Sequence, residues 1–112
     1  MKKIFHGIEY EVCKEKKIEG DFIEKGVGIY FENDVEITGS LECKYLKCAG
    51  SINVRKDYVV ECYEEIGGAQ EVGGSQKVGE SQKVGGYQEV EWSQEVGGYQ
   101  KVGESQKVGG YQ

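Results

Sequence analysis

Four cysteines, Cys13, Cys43, Cys48 and Cys62, and one histidine, His6, are the residues best suited to metal or nucleophilic chemistry. A zinc site wants thiolates and imidazoles in close pairs, typically Cys-x2-Cys, and no such pair occurs. A Cys–His nucleophile would need the lone His6 beside one thiol and a third group to orient it. No glycine-rich phosphate loop and no paired nucleophile and base stand out, so the chain reads as a non-enzyme with no catalytic, metal-binding or cofactor-binding residues. An even cysteine count permits a disulfide framework, but no export signal is evident, so the thiols are expected reduced and the location cytoplasmic. Cys43 and Cys48 fall where the pattern below calls for small core residues.

Bulk properties narrow the class. At 112 residues there is room for a single core. The net charge of −6 is spread along the chain, which argues against nucleic-acid binding through a basic surface. No stretch reaches membrane-spanning length.

The elements that must position any surface chemistry announce themselves by period. Every sixth residue from Gln70 is glutamine: Gln76, Gln82, Gln88, Gln94, Gln100, Gln106 and Gln112 follow. A valine stands two places after each up to Gln106, and glycines fill most of the gaps. Gln and Val, two apart, share one face of a strand, and the gap is a corner. A fixed short period signals stacked identical units.

The same spacing continues upstream as Glu64/Ile66, Tyr58/Val60, Ile52/Val54 and Leu46/Cys48. After one dropped residue it resumes as Leu41/Cys43, Val35/Ile37 and Ile29/Phe31. The chain therefore reads as one all-β parallel solenoid of about fourteen short strands. Residues 1–28 are expected to form an N-terminal cap, 29–68 degenerate apolar coils, and 69–112 the regular Gln/Val coils. A hairpin meander is excluded by the faces, because a two-residue hairpin would flip the inward pair at every strand.

Coil size has two candidates. Two strands per coil, 12 residues, is favoured, because outward Glu and Lys alternate with that period and stacked neighbours would carry opposite charges. Three strands, 18 residues, would place Glu71 over Glu89 and Lys83 over Lys101. Two facts oppose the favoured choice. Residues 77–88 and 101–112 are identical, so duplication accounts for half of the alternation. Two corner residues also barely span the roughly 10 Å between facing sheets.

Inward glutamines Gln76, Gln82, Gln88, Gln94, Gln100 and Gln106 are expected to form an amide ladder that enforces register. Corner glycines are expected to supply positive φ. Outside, Tyr87, Tyr99 and Tyr111 would align as an aromatic strip in 12-residue coils, with Trp92 exposed at a corner, as a face for a protein partner. No polar cap follows the last repeat, so the final coil (Ser105, Lys107, Val108, Tyr111, Gln112) is expected to self-associate as a homodimer or end-to-end stack.

The run Val35-Glu-Ile-Thr-Gly-Ser-Leu-Glu-Cys43 with Ala49-Gly-Ser-Ile-Asn-Val54 resembles the bactofilin family of polymer-forming bacterial β-helices. That resemblance implies a nucleotide-free scaffold that stacks end to end. The repeats also resemble hexapeptide acyltransferases, but the catalytic histidine of that family has no counterpart within the coils. The expected function is a non-enzymatic scaffold or protein-interaction module. The alternative is a small acidic inhibitor acting by surface or nucleic-acid mimicry, such as a phage counter-defence protein of the anti-CRISPR kind.

Overall fold

The computed structural model describes residues 2–5 and 7–109, and every element among them is a strand. The first six are β1 (Lys2–Phe5), β2 (Ile8–Cys13), β3 (Lys17–Ile18), β4 (Phe22–Phe31), β5 (Val35–Ile37) and β6 (Leu41–Cys48). Then come β7 (Ile52–Val54), β8 (Tyr58–Val60), β9 (Tyr63–Ile66), β10 (Gln70–Val72) and β11 (Gln76–Val78). The regular end comprises β12 (Ser81–Val84), β13 (Gln88–Val90), β14 (Gln94–Val96), β15 (Gln100–Val102) and β16 (Gln106–Val108).

They wind into a β-solenoid of about 6 turns with three strands per turn. Face I stacks β14, β11, β8 and the first half of β6. Face II stacks β15, β12, β9 and the second half of β6. Face III stacks β16, β13, β10, β7, β5 and β3. All these pairings are parallel, so each inward residue stays inward, and the strands alternate between buried and outward positions.

The coil is therefore 18 residues in the regular part, not the favoured 12: Gln70 pairs with Gln88, and Gln88 with Gln106. The physical reason is reach. A coil of two strands must cross the whole inter-sheet gap at each corner, whereas a triangular section lets two residues turn a gentler bend. The outward charges follow the larger coil, so Glu71 lies beside Glu89 and Lys83 beside Lys101.

Two departures from the six-residue unit sit where the chain rounds the corner between faces I and II, and a third between faces II and III, where Cys13 and Ile18 pair with Phe31 and Ile37. At the first of these corners β6 runs unbroken through Lys44 and Tyr45, one residue short, so the neighbouring coil closes in 17 residues: Val35 pairs with Ile52. One coil earlier, β4 carries extra residues, and its register with β6 shifts between Glu24 and Gly28, where Gly26 has φ 76°. Coiling starts ahead of Ile29. Within the 1–28 segment β2 and β3 already pair parallel with β4 and β5, and only β1 runs antiparallel, closing the edge of β2.

Two columns fill the interior. The apolar one grades from Phe31, Ile37, Cys43, Cys48, Val54, Val60 and Ile66 to Val72, Val78, Val84 and Val90, all 3% exposed or less, and Leu41, Leu46, Ile52 and Tyr58 stack instead under the polar column. Beside it Glu64, Gln70, Gln76, Gln82, Gln88 and Gln94 are buried as well. Corner glycines have a different role from the expected one, since positive φ among the described glycines occurs only at Gly7, Gly20 and Gly26. At Gly79 and Gly97 the constraint is the coil before: an added Cβ would run into the carbonyl oxygen of Glu61 or of Gly79.

Candidate functional site

The glutamine ladder is the most ordered polar array in the molecule, and it has a direction. Each Nε2 donates to the Oε1 one coil earlier: Gln88 to Gln70 and Gln94 to Gln76 at 2.6 Å, Gln100 to Gln82 and Gln106 to Gln88 at 2.7 Å. Cross-links join the three faces, as Gln94 donates to Gln88 at 2.8 Å and to Gln82 at 3.3 Å, and Gln106 to Gln94 at 2.8 Å. Buried amides leave no donor idle in this way, except at the first coil.

At that first coil an acceptor is needed, and Glu64 supplies it. Its two carboxylate oxygens accept from Gln70 Nε2 at 2.6 Å and Gln82 Nε2 at 2.9 Å. Burial drives the Glu64 carboxyl upward, while the nearby Tyr58 hydroxyl and the amides of Gln82 and Gln70 pull it back, leaving it at about 7. Tyr58 lies close enough for its own hydroxyl to be pushed well up, by burial first and then by Glu64. Even so, Tyr58 Oη and Gln76 Nε2 make no hydrogen bond, and Gln76 pairs with Tyr58 in the strand register. Glu64 was legible as one of the inward pair Glu64/Ile66; that it would be a buried carboxyl heading the ladder was not drawn from it.

The expected aromatic strip is not one face. With 18-residue coils Tyr87 leads into β13 on face III, while Tyr99 leads into β15 on face II. Tyr87 donates its hydroxyl to Glu71 at 3.1 Å, and Trp92, 68% exposed, stands at the corner between faces III and I. Tyr111 and Gln112 lie outside the described residues, as does His6. Sequence reasoning missed another aromatic series on the face II side: Phe5, Tyr10, Tyr45 and Tyr63 stack edge to face, at 5.6 Å, 6.4 Å and 5.4 Å between successive rings. Its signal was Tyr45 and Tyr63 eighteen residues apart, visible only once the coil size is known.

The four cysteines are unpaired, with Cys43 and Cys48 buried in the core cluster. Burial pushes both thiols up, that of Cys48 to about 11 and that of Cys43 further, which makes them inert packing groups. No cluster of His, Cys, Asp or Glu among the described residues could hold a metal ion. No helix among them is long and apolar enough to cross a membrane.

At the C-terminal end of the described residues, β14, β15 and β16 each pair with one strand only. The inward Val96, Val102 and Val108 there are only partly covered, as are Gln100 and Gln106. Ser105 and Lys107 are exposed on the same coil.

No family model matches the chain, and neither a curated protein nor a solved structure does.

Proposed function

We propose that this β-solenoid is a non-enzymatic scaffold or protein-interaction module that self-associates through its last coil. The observation that carries the reading is the run β14–β15–β16, three strands that each pair with one strand among the described residues, over partly covered valines. Unpaired strand edges are templates for a further strand, and a second copy supplies one. The N-terminal end differs, because β1 covers the edge of β2 there. That asymmetry favours a two-fold dimer over a long stack. The bactofilin-like run at residues 35–43 and 49–54 argues in the same direction, towards assembly rather than catalysis.

Light scattering on the 112-residue chain and on a chain lacking residues 105–112 tests this. A concentration-dependent dimer mass for the first and a monomer for the second are expected. Equal monomeric masses would sink the reading.

A second reading has one observation in its favour. The 18-residue coil brings Glu36, Glu71 and Glu89 to face III, with Glu91 at its corner, between Lys17 at one end of the outward row and Lys107 at the other. Such an acidic face suits an inhibitor that mimics nucleic acid. It predicts a monomer that displaces DNA from a basic protein, so the same mass measurement separates the two readings.

A further inference from the structure

The junction between the apolar coils and the glutamine coils contains a buried acid with amides on two sides. Glu64 is 1% exposed, and no lysine or arginine among the described residues pairs with it. The groups facing it can be named strand by strand. From β10 comes the Gln70 amide and from β12 the Gln82 amide, both donors. From β8 comes Tyr58, and from β6 come the thiols of Cys43 and Cys48, both held neutral by burial. A negative charge here is answered only by amide dipoles, all turned with their N–H ends towards it.

The junction also holds one spare acceptor. The buried Tyr58 hydroxyl lies beside Glu64 without a full hydrogen bond: as a donor it favours the charged carboxyl, and once its proton rotates away its oxygen can accept from the acid. A carboxylate accepts only, whereas a carboxylic acid must also place a proton. A burial site without a counter-cation favours the acid, and a waiting hydroxyl oxygen gives its proton a destination.

We propose that Glu64 is a proton-operated end-stop of the glutamine ladder: as a carboxylate it accepts from Gln70 and Gln82 together, and as an acid it surrenders part of that accepting capacity and donates to Tyr58. The proton comes from and returns to solvent, and no covalent bond changes. The two states hold the first glutamine coil differently, so a pH change near neutrality alters how firmly the regular coils are registered on the apolar ones. This makes the ladder head a pH-responsive joint built into the solenoid.

The test is an NMR titration of the full chain carrying 13C-labelled glutamate and 15N-labelled glutamine. One glutamate carboxyl carbon is expected to titrate far above the ordinary carboxylate range, with the Gln70 and Gln82 side-chain amide signals moving at the same midpoint. The resonance should vanish in Glu64→Gln. If that variant does not fold, Tyr58→Phe assigns it, since removing the hydroxyl should shift this midpoint and leave the others in place. A Glu64 carbon that titrates in the ordinary range, or amide signals that stay fixed through its titration, would overturn the proposal.

Discussion

Gln88 Nε2 lies 2.6 Å from Gln70 Oε1, one full coil away, and its own Oε1 accepts from Gln106 at 2.7 Å and Gln94 at 2.8 Å. A side chain wired to neighbours on both sides sits inside a polar network that is secure only while every member is present. Gln88→Leu keeps the size of the side chain and removes all of its bonds. It should destabilise the chain by about 1–3 kcal/mol, the cost of leaving buried amide groups unpartnered. The midpoint of urea unfolding reads this directly, and an unchanged midpoint would show that the ladder contributes nothing to stability.

Glu64 makes stability depend on pH with a definite sign. Its folded-state value, about 7, lies above the ordinary 4.5, so folding takes up a proton between those two values. The stabilisation is complete below about pH 4.5 and is lost as pH rises through about 7. A loss of order 3 kcal/mol across that window is expected. Glu64→Gln should flatten this part of the profile. A wild-type profile that rises with pH over the same window contradicts the assignment.

Gly79 sits against the Glu61 carbonyl, with no room for a Cβ. Gly79→Ala should therefore cost stability, about 1–3 kcal/mol as for other overpacked sites. Gly7, with open space around it, offers the contrast, although its φ of 80° adds strain of its own. Thermal unfolding that leaves Gly79→Ala level with the parent would refute the close-packed corner.

Lys83 and Lys101 are adjacent outward residues of β12 and β15. Like charges opposite one another are unfavourable, so Lys101→Glu should raise stability slightly at low salt, and the gain should fade as salt is added. A loss of stability at low salt would point to 12-residue stacking, in which the two lysines are not neighbours.

Trp92 is the sole tryptophan and is 68% exposed. Its fluorescence in the folded monomer should resemble that of tryptophan in water and respond strongly to added quencher. Emission shifted towards that of a buried indole would show either a partner over that corner or a different corner geometry.

The phase of the fold was legible in the residues themselves. The inward pairs from Ile29/Phe31 to Gln106/Val108 could be counted off before any coordinates, because burial of every second residue leaves a two-residue signature. The coil size was not legible in the same way. The alternation of Glu and Lys at period 12 looked like an unbroken row of stacked ion pairs, yet the 18-residue coil keeps opposite neighbours at Glu65/Lys83, Lys77/Glu95 and Glu89/Lys107 and sets Glu71 beside Glu89 and Lys83 beside Lys101. Corner reach pointed to the larger coil and was outweighed. The first coil hid for another reason: the irregular register of β4 near Gly26 and Gly28 breaks the spacing that identifies later strands. The aromatic series of Tyr45 and Tyr63 was missed, and Tyr87 and Tyr99 were set on one face, because both placements follow from coil size.

The mismatch between a copied length and a turn has a lasting effect. Residues 77–88 recur unchanged at 101–112, a step of one turn and one extra face. Lys77 on face I reappears as Lys101 on face II, and Lys83 on face II as Lys107 on face III. The interior treats every face alike, so gaining or losing a whole six-residue unit leaves Gln over Gln and Val over Val. The exterior is rotated by a third of a turn each time. Such a chain can change length by hexapeptides with little disturbance inside while its entire downstream surface is reassigned, so its outward chemistry is free to vary far faster than its fold.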